Sequence, residues 1–398
     1  MISWQRNIVF IVSSQFISML AFSFAMPFVP FYFQEMGVRD PHELKMWIVL
    51  FNFAAPLSLA FFSPIWGALG DRYGRRLMLL RANFGGVIVL FLMGIAPNPT
   101  TLVGLRLLQG VLTGTMTAAI TLVSVHAPDK RSGFALGILS AAVSSGNMCG
   151  AFVGGMFADL FGYRAAFFGA SAIMLVSGFL VLFGIEEYVP KRRDENESLP
   201  GLRFIPRNLG AAGFILLLMS VIGFVLSFDL SWLPLLVQEI HGSLRGASFW
   251  TGSLSAVAGC AGLLAGPIIG RLADRVTPPM IARISSIGAG FMSMVMGFAN
   301  SFPLLFGARF CGAFCSSGLD PVFQIWLSKV TPEKDRGFVF GWAGTVRAIG
   351  WMFSPLISGA VAWMAGVHAV FFAAAAFFFL LVPLITFVVY RLEHRNNI

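Results

Sequence analysis

Five ionisable side chains lie inside long apolar stretches of the sequence, where a charge is costly and therefore points to a function. They are Arg106, Asp229, Arg309, Asp320 and Arg347. A carboxylate in such surroundings can take up and release a proton, and a nearby arginine can hold it in its charged form. These residue types predict a site that binds protons or a charged group.

The acids and arginines fall into pairs when residues are counted from the ends of the apolar stretches. Asp229 and Arg309 each lie about 10 Å from the same end of a helical bundle, at a rise of about 1.5 Å per residue. Asp320 and Arg347 lie nearer the opposite end, within reach of a long arginine side chain. We expect both pairs to form, and for each pair a structural ion pair and a coupling role are both open.

Arg106 differs because the first half of the chain has no acid at its depth. Its counterpart in the second half is Arg309, and the residue that matches Asp229 is Ala25. An arginine without an acid can bind backbone carbonyls, water or the negative charge of a substrate. Bracing of neighbouring helices and substrate binding are both open for Arg106.

The composition requires that most of the chain lies in lipid. Hydrophobic residues make up 57% of the 398 residues and charged residues only 11%, which excludes a soluble globular domain. The apolar runs are longer than barrel strands and lack their alternation, so they predict helices. The sequence thus predicts an all-α membrane protein with twelve transmembrane helices, at residues 8–31, 45–66, 77–96, 101–124, 133–157, 164–185, 210–236, 247–269, 280–299, 303–326, 337–361 and 367–390.

The positions of the charged residues predict the topology. With the N-terminus in the cytoplasm, twenty Lys and Arg residues fall on cytoplasmic loops and helix ends, and four fall on the opposite side. This bias predicts that both termini are cytoplasmic. Because the charges lie in short loops, the net charge of +9 does not indicate a nucleic-acid-binding protein.

The cysteines and histidines predict no metal site, disulfide framework or cofactor. The histidines are scattered, and the four cysteines lie in apolar runs, where we expect buried small residues: Cys149, Cys260, Cys311 and Cys315. The chain also lacks a G-x-x-x-x-G-K-[ST] loop, which argues against ATP as the energy source.

The chain repeats itself at an offset of 203 or 204 residues. Matching segments of the two halves include Ser23-Phe24 with Ser227-Phe228, Gln34-Glu35 with Gln238-Glu239, and Arg106 with Arg309. A fixed offset indicates two copies of one six-span unit. A polar stretch separates them, so we predict two domains, residues 1–186 and 209–398, joined by a cytoplasmic linker at 187–208.

A short charged segment after the second span carries a resemblance to a known family. It reads Gly67-Ala-Leu-Gly-Asp71-Arg72-Tyr-Gly74-Arg75-Arg76, and we expect it to form the loop of a tight hairpin. A degraded copy in the second half keeps Gly270, Leu272, Asp274 and Arg275. The segment resembles the signature loop of the major facilitator superfamily, G-x-L-a-D-r-x-G-r-k.

Two further segments resemble those of the 12-span drug:proton antiporters of that superfamily. Met26-Pro27-Phe-Val-Pro30 matches the P-x-x-P turn of the first span. The ridge Gly146-x-x-x-Gly150-Ala151-Phe-Val-Gly154-Gly155 matches the fifth span of exporters, with Ala151 in place of a proline. Small residues four apart also let helices approach closely, so we expect packing to be the physical role of the ridge.

The resemblance implies a monomeric secondary transporter in a bacterial inner membrane, with two pseudo-symmetric six-helix bundles around the substrate site. It implies proton-coupled efflux of small amphipathic organic compounds by alternating access. Asp229 and Asp320 are then the proton-coupling candidates. It also implies a conformational gate in which Asp71 meets the start of span eleven near Arg336-Gly337; its candidate residues are Gly67, Asp71, Arg72, Gly74, Arg75, Arg76, Arg131, Asp274 and Arg275.

Spans one, four, seven and ten line the central cavity in this family. Here they offer a mostly apolar and aromatic lining that suits amphipathic compounds: Phe22, Met26, Phe28, Gln109, Met116, Phe228, Trp232, Phe323 and Gln324. Two other functions are open, namely transport of an anionic metabolite anchored by Arg106, and a sensor or lipid-handling role without transport. The predicted partners are a small molecule, protons and the lipid bilayer, with no nucleic acid and no enzyme activity.

Reporter fusions test the predicted topology. Fusions at both termini and in the loop Glu186–Asn208 should report the cytoplasm, because the positive charges concentrate there. A fusion at Asn300 should report the opposite side. Signals from one side at all positions would contradict the twelve-span count.

Overall fold

The computed structural model describes residues 4–126, 132–187, 210–273, 275–331 and 336–395, and within these ranges the chain folds into helices and short turns without strands. The helices are α1 (Trp4–Ala25), a 3-10 turn (Met26–Phe28), α2 (Val29–Glu35), α3 (Pro41–Tyr73), α4 (Arg75–Gly94), α5 (Pro99–Leu112), α6 (Thr115–His126), α7 (Ser132–Phe161), α8 (Tyr163–Gly184), α9 (Gly210–Ser227), α10 (Leu233–His241), α11 (Ala247–Ala273), α12 (Pro278–Gly297), α13 (Phe302–Ser316), α14 (Leu319–Val330), α15 (Arg336–Ala365) and α16 (Val367–Arg395).

These described helices account for all twelve predicted spans. Ten segments are long and apolar enough to cross a membrane by length and composition. The remaining two spans are span four, made of α5 and α6, and span seven, made of α9 and α10. In each of them, neither helix alone meets the length and composition needed to cross a membrane. The predicted class, an all-α membrane protein, is therefore confirmed. Of the predicted linker, only Glu187 lies within the described residues.

Spans one, four, seven and ten are each interrupted. The sequence analysis predicted a turn in span one only, at the P-x-x-P segment. Span four breaks at Thr113 and Gly114, and span ten breaks at Ser317 and Gly318, 204 residues later. The breaks of spans one and seven, at residues 26–28 and 228–232, also correspond. The two halves of the internal repeat are thus interrupted at matching positions.

Side chains of neighbouring helices satisfy the backbone at the break in span four. The indole Nε1 of Trp66 donates a hydrogen bond to the carbonyl of Val111 at 2.7 Å. Arg81 Nη2 donates to the carbonyl of Thr113 at 3.3 Å, and its guanidinium lies 3.6 Å from the centroid of the Trp66 ring. Carbonyls without a helical partner need such donors in an apolar environment.

The charged segment Gly67–Arg72 is helical, so the prediction that it forms a loop was wrong. Helix α3 continues to Tyr73, and only Gly74 separates it from α4. Gly74 has a φ of +97°, and its N–H donates to the carbonyl of Gly70 at 3.0 Å. Glycine adopts this left-handed ending without strain, so one residue suffices for the hairpin turn.

The start of α4 is tied to the end of α8. The backbone N–H groups of Arg75 and Arg76 donate to the two carboxylate oxygens of Glu187, at 2.9 and 2.7 Å. Arg76 Nη2 also donates to the carbonyl of Leu182 at 2.6 Å. An acid at a helix N-terminus is favourable, so Glu187 stabilises this hairpin within its own half.

The ridge of small residues on α7 packs directly on α1. A methyl group added at Gly146, Gly150 or Gly154 would meet a backbone carbonyl oxygen of α1. Side chains larger than hydrogen would push the helices apart, so the ridge serves packing, as expected.

The four cysteines are free thiols, but the expectation that they are buried was wrong. Cys260 and Cys311 are exposed, and Cys149 and Cys315 are half-buried. In a chain that spans lipid, an apolar side chain gains as much by facing outward as by facing a neighbouring helix.

Substitution of Gly150 tests the contact between α1 and α7. We expect Gly150→Ala to destabilise the protein by about 1–3 kcal/mol, because its methyl group would collide with the Leu20 carbonyl. The matched control is Gly137→Ala on the same helix, where a methyl group meets nothing within 4 Å. Thermal unfolding in detergent should give a lower midpoint for the first variant only. Equal midpoints would contradict the packing role.

Candidate functional site

The two ends of the bundle can be named by the residues they carry. The terminal face carries Trp4 and Tyr73, and the distal face carries Glu35, Phe161 and Ala365. These names describe the fold and do not assign a side of the membrane.

The two halves of the chain meet at the distal face. Gln34 and Gln238 exchange two hydrogen bonds between their side-chain amides, at 2.8 and 2.9 Å. Nearby, Asp159 Oδ2 accepts a hydrogen bond from the backbone N–H of Phe249 in the first turn of α11, at 2.7 Å. Residues of α7 also pack on α11, and residues of α3 pack on α15. The distal side of the central space is therefore closed.

The same four interface helices part toward the terminal face. On α11, Ser248 contacts Tyr163 of the first half, with 3.2 Å between their hydroxyl oxygens. Gly266 follows 18 residues later on the same side of the helix, about five turns along, and a methyl group there would meet nothing within 4 Å. Glycines on the terminal part of the other three helices also face open space: Gly67, Gly137 and Gly344.

Asp229 and Arg309 lie together inside the second half. Arg309 Nη1 is 3.6 Å from Asp229 Oδ2, and the two side chains are 16% and 10% exposed. They line a cavity of about 80 Å³, whose walls also include Ser293, Ser316 and Phe378. This volume suffices for water. All lining residues come from helices α9, α12, α13 and α16 and the turn after α9, so the cavity lies within one half.

Asp229 also lies in the break of span seven. Its carbonyl accepts hydrogen bonds from the backbone N–H groups of Trp232 and Leu233, at 3.0 and 3.2 Å. The indole of Trp232 donates to the hydroxyl of Ser358 on α15 at 2.9 Å. A movement of α10 against α9 would therefore shift the carboxylate relative to Arg309.

Asp320 and Arg347 form the second pair, which is tighter and more exposed. Arg347 Nη1 lies 2.6 Å from Asp320 Oδ2, with side chains 27% and 31% exposed. Gln324 Nε2 donates to the same carboxylate oxygen at 2.9 Å. The Arg347 guanidinium also lies 5.4 Å from the Trp351 ring centroid. This pair is therefore well compensated.

Arg106 has no carboxylate within ion-pair distance among the described residues. Its Nη1 donates to Gln109 Oε1 and lies 3.1 Å from the sulfur of Met26, in the break of span one. The guanidinium carbon lies 4.7 Å from the centroid of the Phe51 ring. The Met26 thioether thus takes the place at Arg106 that the Asp229 carboxylate takes at Arg309. The counterpart of Asp229 in space is therefore Met26, and the match with Ala25 in the sequence analysis was wrong by one residue.

The predicted cavity residues divide by burial. Five are buried in the protein: Phe28, Gln109, Phe228, Trp232 and Phe323. Four are half-buried: Phe22, Met26, Met116 and Gln324. Burial alone does not test a cavity role, which stays a prediction for all nine residues.

The predicted gate is described only in part. Arg131, Asp274 and the side chain of Asp71 lie outside the described residues. Arg72 is exposed, with its guanidinium 5.4 Å from the centroid of the Tyr73 ring, and Arg275 is also exposed. The gate therefore remains a prediction.

Sequence reasoning missed the distal contact between Gln34 and Gln238 and the bracing pair Trp66 and Arg81. A signal existed for the glutamines, because they occupy matching positions of the repeat. No sequence signal pointed to Trp66 and Arg81, because their role depends on the break in span four, which the sequence analysis did not predict.

Comparisons with known proteins agree on one family. The family model of the Major Facilitator Superfamily matches residues 11–299 and 246–397. Multidrug resistance protein MdtG of Proteus mirabilis (strain HI4320) is 33% identical over 390 residues, 97% of this chain and 96% of that protein. MdtG of Escherichia coli (strain K12 / DH10B) is 33% identical over 380 residues, 94% of this chain and 92% of that protein.

Solved structures show the same fold at low sequence identity. The human organic anion transporter MFSD10 (TETRAN) has a TM-score of 0.72 at 16% identity, covering 97% of this chain and 100% of that chain. The nucleoside transporter NupG has a TM-score of 0.76 at 12% identity, covering 95% and 99%.

Cysteine labelling tests the opening toward the terminal face. In a background without the native cysteines, we expect Gly266→Cys to react with a maleimide in water and Ser248→Cys to stay protected. Both positions lie on one side of α11, but Ser248 is fully buried against the first half. Equal labelling rates in detergent-solubilised protein would contradict the open and closed ends described here.

Proposed function

The chain belongs to the major facilitator superfamily, and on that basis we propose that it exports small amphipathic organic compounds in exchange for protons, by alternating access. The family makes the chain an integral membrane transporter of a small molecule and not an enzyme, as the sequence analysis predicted. The multidrug resistance proteins that are 33% identical over nearly the whole chain support the substrate class.

The observation that carries the transport mechanism is the asymmetry of the two faces. The halves are joined by the Gln34–Gln238 amide pair at the distal face, while Gly67 and Gly344 face open space near the terminal face. A transporter that rocks its two halves about a fixed site needs a conformation of this kind and its mirror state. With both termini in the cytoplasm, as we propose, this conformation opens inward.

The gate predicted around Asp71 fits this proposal. In the mirror state the terminal ends of α3 and α15 would approach, and Asp71 would meet the start of α15 with Arg131 nearby. An acid at a helix N-terminus is worth about 0.3–1 kcal/mol, which is enough to bias two conformations of similar energy.

Proton coupling is assigned to Asp229. In the present conformation Arg309 lies 3.6 Å away and favours the charged carboxylate. When the cavity closes, or when substrate draws Arg309 aside, desolvation favours the neutral form, so the carboxylate takes up a proton. The carboxylate lies at the break of span seven, so its protonation and the position of α10 are linked.

Asp320 is the rival site for the proton. Its carboxylate accepts hydrogen bonds from Arg347 and Gln324 and is more exposed than Asp229. Water and cations can compensate an exposed carboxylate, so its charge depends less on conformation. We therefore place Asp229 first.

We propose that the protein is a monomer of a bacterial inner membrane. The experiment compares proton-driven flux of the Asp229→Asn and Asp320→Asn variants in vesicles. Asparagine mimics the protonated acid, so Asp229→Asn should abolish proton-driven flux but retain substrate exchange without a gradient. Retained exchange also shows that the variant folds.

Three outcomes separate the alternatives. Loss of proton-driven flux in Asp320→Asn alone would assign coupling to the rival acid. Full proton-driven flux in both variants would contradict proton coupling through either carboxylate. Absence of any flux in the unchanged protein would contradict the transport proposal itself.

A further inference from the structure

Arg106 and Arg309 are matching residues of the two halves, but their surroundings differ in charge. Each arginine faces the break of the first span of its own half. Arg309 meets the carboxylate of Asp229, whereas Arg106 meets the uncharged sulfur of Met26. Among the described residues, the second half therefore supplies its arginine with a carboxylate and the first half does not.

Hydrogen-bond donors remain unused around Arg106. In the part of the chain that the structure describes, the Nε–H group of Arg106 is buried without a hydrogen bond, but so are those of Arg76, Arg81, Arg309 and Arg347. The Nε2 amide of Gln109, which is also buried and unpartnered, is the donor that distinguishes this site. Gln109 itself is 1% exposed, and its only contact with Arg106 uses the amide oxygen. Unused buried donors are costly, and they point to an acceptor that completes them.

Helix bracing does not account for these contacts. Arg76 and Arg81, which do brace helices, donate to the backbone carbonyls of Leu182 and Thr113. Both hydrogen bonds of Arg106 go to side chains. An arginine that held neighbouring helices together would be expected to bond their carbonyls, as the other two do.

The surroundings of Arg106 also suit the rest of a ligand. The half-buried Met26 thioether offers an apolar surface beside the guanidinium, whereas the Phe51 ring that the guanidinium contacts is itself buried. Both Arg106 and Met26 are half-buried, so the group is not sealed into the core. The planar guanidinium can bind a carboxylate through two parallel hydrogen bonds.

We propose that Arg106 and Gln109 bind the carboxylate of an amphipathic organic anion, whose apolar body lies against Met26. This inference rests on the proposed transport function and names a substrate class for it. The first half thus binds the anionic group of the substrate, while the second half binds the proton. Substrate and proton need not compete for one side chain.

The test measures binding of matched acids and amides to the purified protein in detergent, without a gradient. A panel of aromatic carboxylates and their primary amides is used, beginning with 1-naphthaleneacetate and 1-naphthaleneacetamide. The readout is the ratio of the two dissociation constants, which corrects for partial unfolding of a variant. A hydrogen-bonded charge pair predicts about 10- to 100-fold tighter binding of the acid.

Four variants sharpen the test. Arg106→Gln should bring the ratio close to one, and Arg106→Lys should retain part of the preference because it keeps the charge. Met26→Asp supplies the acid that the second half has, so it should abolish the preference while Arg106 stays in place. Arg81→Gln, a control that removes a charge from a bracing arginine, should keep the wild-type ratio.

The outcomes distinguish this inference from the proposed function. A panel in which no acid binds more tightly than its amide, or a preference that survives Arg106→Gln, would overturn the anion site. A clear preference together with flux that ignores the proton gradient would leave the site intact and contradict proton coupling alone.

Discussion

Backbone hydrogen bonding in an apolar environment limits where the helices of this protein can break. Lipid offers no partner to a free carbonyl, so an interruption survives only where the protein supplies one. Trp66 and Arg81 do this for span four. Four of the five intramembrane charges, Arg106, Asp229, Arg309 and Asp320, lie on interrupted spans, whereas Arg347 lies on the unbroken helix α15. The positions of the helix breaks, and of the polar groups beside them, therefore depend on the need for hydrogen-bond partners in an apolar environment.

The sequence predicts the helices better than their interruptions. Long apolar runs and the charge bias of the loops indicate twelve spans, and counting residues along them brings Asp229 to the depth of Arg309. Pro27 does mark the break of span one, because proline lacks a helical N–H donor, whereas Gly114 at the break of span four could equally indicate close helix packing. The charged segment after residue 66 was misassigned for the opposite reason, since charge indicates exposure to water but does not exclude a helix.

The site shows the limit of depth counting. It gives the distance of a residue from one end of the bundle but not the direction in which the side chain points. Two features follow only from the packing of helices that are distant in sequence. The Asp229 cavity lies within the second half, and the Met26 thioether faces Arg106. Two copies of one unit can thus hold the same arginine in different electrostatic surroundings through the replacement of one neighbouring side chain.

The Gln34–Gln238 pair bears on the origin of the fold. Matching residues that touch each other lie beside the pseudo-two-fold axis, where each side chain meets its own counterpart. A carboxylate or an ammonium group would repel its copy there, whereas an amide both donates and accepts and is complementary to itself. Two separate copies of an ancestral six-helix unit could have made the same contact. The distal closure is therefore one that a homodimer could form before the two genes were joined.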